Sequence, residues 1–445
     1  MLNQLYDKAP VFFQNILVSL RGFQIQKKRF NRNFIKYLEE YEKNNSSRVN
    51  ENMLRHFLEN AQKSTFWKKR FEAYGVNFQA ENIIEEIKKL PILTKDEVKK
   101  NIATIANPLY KGKKYKAKTS GTTGGGLIFP YSLEMENKQW AVWWRYRRWH
   151  GIDLDMWCGW FGGRSIISIK NQSPPYWRIN RPGKQVMFSA YHLNISTVES
   201  YYDEIKKRDL RWLHGYPSQL SLLAHLILER GLQPLLQVTH ITFGSENLLD
   251  NQREIISRIF PNATLRQHYG LTEGVANISE NINGELIADN DFCYVEFAPL
   301  STDTPNLCKI VGTGFSNLAF PLIRYDTGDI AEIEHLENGG IKILSIDGRK
   351  EDFVTLPNGV KLGRLDHIFK DMIAIKEAQI HQRDLHHIDF NIVKGASFDI
   401  QSENNLRKEI RKRIDESVSI EINYVEKIPR TNSGKLRLVI SDIKS

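Results

Sequence analysis

The sequence predicts an α/β protein with a helical N-terminal extension and a small α+β domain at its C-terminal end. Apolar residues recur at helical spacing, with few helix breakers, through about the first 100 residues. Strand and helix patterns then alternate, which is typical of layered α/β domains. Near the C-terminus, strand patterns at 388–393 and 420–425 flank a predicted helix with apolar residues at 406, 410, 414 and 418.

Single elements follow from the same patterns. Thr94 is placed to cap a helix that begins at Lys95, because its hydroxyl accepts a hydrogen bond from a free amide of the first turn. Gly151 ends a predicted helix at 134–150, whose four tryptophans favour core packing over a binding platform. The remaining predictions are helices at 217–230 and 251–260 and strands at 238–243, 264–269 and 294–297.

Composition indicates a globular protein of two or three domains. The chain has 445 residues, of which 41% are hydrophobic and 26% charged. No apolar stretch approaches the ~20 residues of a membrane span, and we expect no secretory signal. Cys158, Cys293 and Cys308 are too few and too scattered for a disulfide framework or a metal site, so we expect a cytoplasmic protein.

The net charge of +10 calls for a partner of opposite charge. A positive field attracts ATP, acyl carriers, nucleotide sugars or an anionic membrane face. The basic run at 21–32 follows apolar residues at 11–18, a pattern that fits a helix lying on a membrane surface. We expect instead that this helix packs its apolar stripe on the main domain. No nucleic-acid motif accompanies the charge, so we expect no nucleic-acid partner.

A glycine- and hydroxyl-rich run, 119–126, is the strongest functional signal. Glycines let the backbone approach a ligand closely, and successive amides and hydroxyls suit phosphate oxygens. The alternative is a flexible surface turn. No Gly-Lys-Ser/Thr follows, so the run is not the common nucleotide P-loop. Its order, Ser-Gly-Thr-Thr-Gly at 120–124, resembles the phosphate-binding loop of the adenylate-forming superfamily.

Four later segments resemble the same superfamily and come in its order. They are Tyr-Gly-Leu-Thr-Glu at 269–273, Tyr-Asp-Thr-Gly-Asp at 325–329, Gly-Arg-Lys-Glu-Asp at 348–352 and Pro-Arg-Thr-Asn-Ser-Gly-Lys-Leu-Arg at 429–437. The resemblance implies a helical extension at 1–100, a core that binds ATP and a carboxylate at 101–348, and a mobile C-terminal lid at 349–445. It also implies an ATP-dependent ligase that forms an acyl-adenylate and uses Mg²⁺.

The resemblance assigns roles to individual residues. Lys435 is the mobile cation of the adenylation step, Thr272 contacts the α-phosphate, and Glu273 binds Mg²⁺. Asp329 accepts hydrogen bonds from the ribose hydroxyls, and Arg349 reaches the ribose or the phosphate. Glu351 is the hinge, although Asp352 is an alternative pivot. The other nucleotide-binding residues are Ser120, Gly121, Thr122, Thr123, Gly124, Gly244, Ser245, Glu246, Tyr269 and Gly270, with Tyr269 stacking on adenine.

Departures from the superfamily pattern narrow the branch. The phosphate loop continues Gly125-Gly126-Leu127 without its usual lysine, and Asp326 replaces a usual arginine. The first departure, together with 321–325, resembles the phenylacetate–CoA ligase branch. The segments 213–218, 358–364 and 377–380 resemble its sub-branch associated with capsule and O-antigen polysaccharide synthesis. We expect the carboxylate pocket to draw on Trp160, Phe161, Gly162, Tyr216 and residues near Gly244.

Three functions follow from these resemblances. The first is transfer of an activated carboxylic or amino acid to an amino sugar that is linked to a nucleotide or a lipid. The second is an acyl-CoA ligase, for which basic residues at 407–413 are a candidate contact with CoA, although a solvated helix face explains them equally well. The third is a non-catalytic assembly protein held at the inner membrane face by the basic N-terminal segment.

Overall fold

Helices fill the N-terminal part of the computed structural model, and strands and helices alternate after them. The residues that it describes are 6–43, 49–119, 127–162, 166–168, 171, 173–302, 304–337, 339–349, 354–357, 361–362, 365–369, 372–414, 416–431 and 436–443.

The described residues before 106 are mainly helical, as the sequence predicts. In chain order the helices are α1 (Val11–Arg29), α2 (Arg32–Lys43), α3 (Glu51–Ala61), α4 (Thr65–Ala73), α5 (Ile83–Lys88), α6 (Lys95–Lys100), α7 (Ile102–Ile105), α8 (Leu133–Trp149), α9 (Val198–Lys207), α10 (Pro217–Glu229), α11 (Asp250–Ile259) and α12 (Ile400–Arg411).

The strands occupy most of the remaining chain. They are β1 (Lys114–Lys118), β2 (Ile128–Ser132), β3 (Cys158–Gly162), β4 (Trp177–Asn180), β5 (Gln185–Ser189), β6 (Trp212–Gly215), β7 (His240–Phe243), β8 (Thr264–Gly270), β9 (Asn277–Glu280), β10 (Leu286–Ala288), β11 (Cys293–Pro299), β12 (Leu307–Gly314), β13 (Tyr325–His335), β14 (Ile341–Arg349), β15 (Val354–Thr355), β16 (Lys361–Leu362), β17 (Ile375–Asp384), β18 (His387–Lys394), β19 (Ser419–Tyr424) and β20 (Val439–Ser441).

The chain divides into two units, each built from separated stretches of sequence. The first unit takes its described residues from 1–23, 154–267 and 348–445, and the second from 24–153 and 268–347. The domain boundaries that the sequence places at residues 100 and 349 stay predictions.

A largely parallel sheet organises the first unit. Its strand order is β8, β7, β6, β3, β5 and β4, and only β4 runs antiparallel to its neighbour. Parallel neighbours need crossover connections, which α9, α10 and α11 supply. Gly215 on β6 is required by close packing, because a Cβ there would lie 2.4 Å from the carbonyl oxygen of Phe161. The carboxyl ends of these strands therefore meet at one edge of the sheet.

The C-terminal residues of the first unit form a second sheet with its own apolar core. Its order is β19, β18, β17 and β20, with α12 packed against it. The sequence predicts one helix through residues 406–418, but α12 ends at Arg411. Ile414 and Val418 are nevertheless buried with Leu406 and Ile410 in that core. Apolar burial therefore continues past the helix end, which is why the spacing suggested a longer helix.

The second unit is built on an antiparallel sheet with the order β11, β12, β13, β14, β10, β9 and β8. Helix α8 packs against α2 beside it. Trp144 is buried, and the Trp143 indole donates to Asn277 Oδ1 at 2.8 Å, so these rings pack in the core as predicted. Thr94 accepts a hydrogen bond from the Glu97 amide at 3.2 Å, which confirms the predicted cap of α6.

Helix α1 is oriented opposite to expectation. Its apolar residues Phe12, Phe13 and Leu20 are exposed, whereas the polar Gln14 is buried. The prediction that the apolar stripe packs on the main domain is therefore wrong. The physical reason is that β4 has backbone groups that need hydrogen-bond partners, and the polar side of the helix supplies them. No helix among the described residues is long and apolar enough to cross a membrane.

A buried ion cluster ties α8 to the loop before β11. The Arg145 guanidinium donates to Asp289 Oδ1 at 2.6 Å, to both carboxylate oxygens of Asp291 and to the Tyr41 carbonyl at 3.2 Å. All three charged side chains are almost fully buried. Burial raises the pKa of Asp291, while the nearby guanidinium opposes that rise. The two carboxylates are tolerable in this interior only because the arginine accompanies them.

We expect Arg145→Ala to lower the free energy of unfolding by about 3–5 kcal/mol, because it leaves two buried carboxylates without their cation. Chemical denaturation of the purified variants measures this loss. The control is Arg148→Ala on the same helix, which removes half-exposed pairs with Glu42 and Asp153 and should cost less than about 1 kcal/mol. Equal losses in the two variants would contradict the role given to the buried cluster.

Candidate functional site

The glycine-rich run connects the two strands of a hairpin in the second unit. Strands β1 and β2 pair in antiparallel register from Lys114↔Ser132 to Lys118↔Ile128. The pairing continues at Thr119, whose amide donates to the Leu127 carbonyl at 3.0 Å and whose hydroxyl accepts from the Leu127 amide at 2.9 Å. Residues 120–126 lie outside the described residues. Their predicted role in phosphate binding stays a prediction, but their two ends are held together by this stem.

Hydrogen bonds connect this hairpin to the turn that follows β8. The Tyr131 hydroxyl donates to Gln139 Oε1 at 3.0 Å, and the Gln139 amide donates to the Leu271 carbonyl at 2.6 Å. Gln139 is buried on α8. The relay therefore fixes the turn that carries Thr272 and Glu273 relative to the base of the glycine-rich hairpin.

Tyr269, near the end of β8, and Asp329, within β13, come together. The tyrosine hydroxyl donates to Asp329 Oδ2 at 2.7 Å. Burial, and then the negative charge of Asp329, raise the pKa of Tyr269 well above its ordinary value, so the phenol stays a proton donor. The carboxylate of Asp329 keeps acceptor capacity beyond this one bond, since an ionised carboxylate has about four acceptor sites.

Glu273 is a buried carboxylate of the same unit. Tyr325 donates to Glu273 Oε1 at 3.4 Å. Burial raises the pKa of Glu273; nearby Lys95 opposes the rise, and the charge of Asp329 adds to it. Because the charge of Asp329 adds to the rise in the pKa of Glu273, a cation bound beside Glu273 would favour its charged form.

Glu273 is the residue that the sequence predicts as the Mg²⁺ ligand. Mg²⁺ is bound in proteins by one or two carboxylates together with substrate phosphates and water, and Glu273 is a buried carboxylate that suits this role. No group of three or more metal-ligating side chains occurs among the residues with described positions. The role of Glu273 in metal binding stays a prediction.

Asp326, which replaces a usual arginine, shapes an irregular stretch of β13 between Tyr325 and Asp329. Its Oδ1 accepts from the Gly328 amide at 2.9 Å, and Gly328 has a φ of +77°. The Asp329 amide donates to the Thr327 hydroxyl at 3.1 Å. A short carboxylate that bonds its own backbone two residues on is typical of such turns. Asp326 thus supplies a hydrogen-bond acceptor where an arginine is usual, and its bond with the Gly328 amide fixes the backbone just before Asp329.

Gly270 and Thr272 flank the same cluster. A Cβ at Gly270 would lie 2.7 Å from Asn277 Oδ1, so the position requires glycine. Thr272 lies exposed in the turn after β8, next to Gly274 with its φ of +65°. Both positions leave backbone or hydroxyl groups open to a ligand. Their predicted contacts with the nucleotide stay predictions.

In the first unit, Gly244, Ser245 and Glu246 follow β7 at the carboxyl edge of the parallel sheet. Ligands of open α/β sheets bind outside this edge. Ser245 has a φ of +72°, a strained conformation for a residue with a side chain, and such strain concentrates at functional turns. The predicted pocket residue Phe161 is wrong, because its ring is fully buried against Phe188 with centroids 4.6 Å apart.

The Glu246 side chain connects this turn to two other segments of the first unit. One carboxylate oxygen accepts from the Leu436 amide at 2.8 Å, and the other accepts from the Ser218 amide at 3.2 Å. Ser218 lies in the first turn of α10, and Leu436 directly follows the predicted Lys435. Burial raises the pKa of Glu246, while the bonds from Ser218, the nearby Arg430 and the Leu436 amide oppose the rise.

Arg430 supplies the second anchor of this C-terminal segment. Its guanidinium donates to the Ser218 hydroxyl at 2.8 Å and to the buried carboxylate of Glu377. The Ile428 amide donates to the other oxygen of Glu377 at 3.4 Å. We call Glu246, Ser218, Arg430 and Glu377 the C-terminal latch. Its bonds hold Arg430 against α10 and Leu436 against the β7 turn.

The remaining predicted residues cannot all be located. Lys435 and Glu351 lie outside the described residues, as do Ser120 to Gly124. Arg349 is the last residue of β14, and only its backbone position is described. The latch was missed by sequence reasoning apart from Glu246. Arg430 lies inside the predicted catalytic segment, so its charge next to Pro429 was the one available signal.

Comparisons with known proteins bear on the fold and on part of the chain. Residues 356–442 match the family described as CapK C-terminal domain. Protein CapK of Staphylococcus aureus is 29% identical over an alignment of 466 residues that covers all of both chains.

Solved structures of one ligase share most of the fold. A crystal structure of 2-hydroxyisobutyryl-CoA ligase in the postadenylation state, in complex with R3-HIB-AMP, has a TM-score of 0.66 and 16% identity, and 88% of each chain is covered. The same ligase with 2-HIB-AMP and CoA in the thioesterification state has a TM-score of 0.52, with the same identity and coverage. The chain therefore has the fold of the adenylate-forming ligases, which confirms the predicted fold class.

We expect Glu246→Gln to increase amide hydrogen exchange in residues 428–438 about tenfold. The new side chain keeps one acceptor oxygen but turns an amide donor towards the other backbone N–H, and a net hydrogen bond of about 1.4 kcal/mol corresponds to that factor. Exchange followed by mass spectrometry measures the change.

The matched control for this experiment is Glu254→Gln, which alters an exposed pair with Arg258 on α11. It should leave exchange in residues 428–438 unchanged. Full protection of that segment in the Glu246 variant would contradict the latch.

Proposed function

We propose that this chain, which has the adenylate-forming ligase fold, activates a small carboxylic or amino acid with ATP. It then passes the acyl group to an amino sugar in the synthesis of a surface polysaccharide. The observation that carries the proposal is the buried Glu273 and the half-buried Asp329, with their tyrosine donors Tyr325 and Tyr269. These four residues come from two of the five ordered segments that resemble the superfamily.

The chemistry requires two transfers. A carboxylate oxygen attacks the α-phosphorus of ATP, the bond to the bridging oxygen breaks, and pyrophosphate leaves. The amine nitrogen then attacks the acyl carbon, AMP leaves, and the nitrogen loses a proton. Both transition states develop negative charge on phosphate oxygens, so charge neutralisation contributes more than a general base.

The nucleotide would be held by groups that are already oriented. Tyr269 donates a hydrogen bond to Asp329, and the Asp329 carboxylate would accept hydrogen bonds from the ribose hydroxyls. The hydroxyl of Tyr269 is engaged at its tip, which leaves the ring face for the adenine. The amides and hydroxyls of Ser120 to Gly124, together with the Thr272 hydroxyl, would bind the phosphates.

Glu273 would hold the metal of the bound nucleotide. Burial raises the pKa of Glu273, the charge of Lys95 lowers it, and the charge of Asp329 adds to the rise. A bound cation would favour the charged carboxylate. When bound, Mg²⁺ supplies charge neutralisation at the phosphates. The protein residues fix where that charge lies.

Two half-reactions in one site require the C-terminal segment to move. Lys435 would approach the carboxylate and the α-phosphate during adenylation, and Glu351 or Asp352 would serve as the hinge. Arg349, at the end of β14, would contact the ribose or the phosphate from the hinge side. The C-terminal latch supports this assignment, because Leu436 and Arg430 bracket the lysine with bonds that a change of position would break.

An amine acceptor is favoured over CoA by the surroundings of the basic residues on α12 and just after its end. Arg407 pairs with Glu403, and both Lys412 and Arg413 pair with Glu409. These cations are thus paired with carboxylates three or four residues away, which is typical of a solvated helix face. The resemblance to Protein CapK supports polysaccharide synthesis, whereas the CoA-bound ligase keeps CoA as the second candidate acceptor. If the acceptor is linked to a lipid, this protein would have to act at the cytoplasmic surface of a membrane.

We expect Lys435→Ala to slow carboxylate-dependent exchange of labelled pyrophosphate into ATP by at least about a hundredfold, because it removes a cation from the transition state. A panel of amino, hydroxy and aryl acids identifies the donor. The control is Lys427→Ala, an exposed lysine outside the segment 429–437, which should keep full exchange. Folded protein that neither exchanges with any acid nor binds ATP would favour the non-catalytic alternative.

We expect Asp329→Asn to weaken ATP binding about tenfold, since the amide loses the charge that strengthens bonds from both ribose hydroxyls. Isothermal titration with Mg²⁺–ATP measures this affinity. Glu334→Gln on the exposed end of β13 serves as the control and should bind ATP like the wild type. An unchanged affinity in the Asp329 variant would remove that residue from the nucleotide site.

Once the donor acid is known, the acceptor is identified by measuring the rate of AMP release with each candidate acceptor. Nucleotide-linked amino sugars and CoA are compared at equal concentration with wild-type protein. Acceleration by an amino sugar alone supports the proposal, and acceleration by CoA alone transfers the assignment to an acyl-CoA ligase.

A further inference from the structure

Helix α1 is attached to the first unit by its polar side. The Asn15 side chain accepts from the Ile179 amide at 2.9 Å, and the Ser19 hydroxyl donates to the Ile179 carbonyl at 3.0 Å. Buried Gln14 bonds the buried guanidinium of Arg178. The strand contacted, β4, is the edge strand of the parallel sheet. An edge strand has unpaired backbone groups, and these polar side chains satisfy them.

Close approach explains why the inward side is polar and small. Gly22 is buried, and a Cβ there would lie 1.9 Å from Asn180 Oδ1. Residues 14, 15, 18, 19 and 22 recur at helical spacing and define the inward stripe. Of these only Val18 is apolar, and it packs beside Trp160 and the Ile166 cluster.

The opposite side of α1 is apolar and faces solvent. We call it the α1 apolar face. Its six residues are more than a third exposed, and Phe12 reaches 69% and Phe23 57%. They lie at helical spacing along three turns: Phe12, Phe13, Ile16, Leu17, Leu20 and Phe23. Single exposed apolar residues are ordinary on protein surfaces, but a contiguous row of this size marks a binding surface.

Charge around this face selects the kind of partner. Residues 6–38 contain a single acidic side chain, Asp7, against seven basic ones, which are Lys8, Arg21, Lys27, Lys28, Arg29, Arg32 and Lys36. Lys28 and Arg29 pair with Glu136. Arg21 and Lys27 are exposed beside the apolar row. An apolar helix face bordered by basic residues is the pattern of helices that lie in an anionic lipid interface.

We propose that the α1 apolar face is a membrane-docking surface, which inserts its apolar side chains into the interface of an anionic bilayer. A second copy of the chain fits less well, because a symmetric contact would bring one basic helix against its twin. The proposal rests on the placement of α1 alone. It does not depend on which carboxylate is activated or on which acceptor receives it.

The first test compares binding of the full chain to phosphatidylcholine vesicles with and without phosphatidylglycerol. We expect sedimentation with the anionic vesicles, weaker binding to the neutral ones, and loss of binding at high salt. Combined Phe13→Ser, Leu17→Ser and Leu20→Ser should weaken binding to anionic vesicles at least about tenfold, because three inserted apolar side chains are lost.

The matched control places the same three serines at exposed apolar positions elsewhere: Leu109, Leu236 and Ile282, each about as exposed as the α1 residues. This control should bind vesicles like the wild type. Both triple variants should keep the wild-type melting temperature and pyrophosphate exchange, since none of these residues belongs to the candidate site. Failure of the membrane proposal and failure of the adenylation proposal therefore give separate results.

A second test locates the contact. The three native cysteines are buried, so an environment-sensitive fluorophore can be attached selectively to Leu17→Cys or, as control, to Leu236→Cys. Anionic vesicles should shift the emission of the Leu17 probe to the blue and leave the Leu236 probe unchanged.

Three results would overturn the proposal. They are absence of wild-type vesicle binding, full binding by the α1 triple variant, and an unshifted Leu17 probe on vesicles that bind. A concentration-dependent dimer that the α1 serines abolish, without vesicle binding, would assign the face to a second copy.

Discussion

The desolvation cost of buried carboxylates is the constraint on which much of this structure depends. A charged carboxylate leaves water only if donors or a cation replace the lost solvation. Asp289 and Asp291 have Arg145, Glu377 has Arg430, and Glu246 has two backbone amides. In each case the partner belongs to a distant part of the same unit. The contacts that stabilise these carboxylates therefore hold together segments that are far apart in the sequence.

Glu273 and Asp329 meet this constraint in a different way. Their tyrosine partners supply one neutral donor each, and Lys95 opposes only part of the rise in the pKa of Glu273. The charge of Glu273 is thus only partly offset by these groups. A carboxylate that receives Mg²⁺ needs such a charge, whereas Asp289 and Asp291 are paired with the guanidinium of Arg145. The same physical cost produces a structural cluster in one place and a candidate binding site in another.

Polar matching also explains the orientation of α1. The edge strand β4 has backbone groups that need partners, and Asn15 and Ser19 satisfy them through Ile179. Because the polar side of the helix is used in this way, its apolar side is left in solvent. Leaving these apolar side chains in water has a free-energy cost, which is removed if another apolar phase covers the face. The attachment of α1 and its proposed membrane contact are therefore two consequences of one packing choice.

The sequence by itself determined the superfamily fold, most elements and the candidate nucleotide residues. Local signals such as Thr94 at a helix start, glycine at turns and apolar spacing act over a few residues, and ordered segments restrict the fold further. The orientation of α1, the end of α12 at Arg411 and the burial of Phe161 were decided by tertiary structure. So were the bonds of Arg430 to Ser218 and of Tyr131 to Leu271 through Gln139. These features depend on which distant backbone groups need partners and which space remains to be filled, and neither quantity is encoded in a short stretch of sequence.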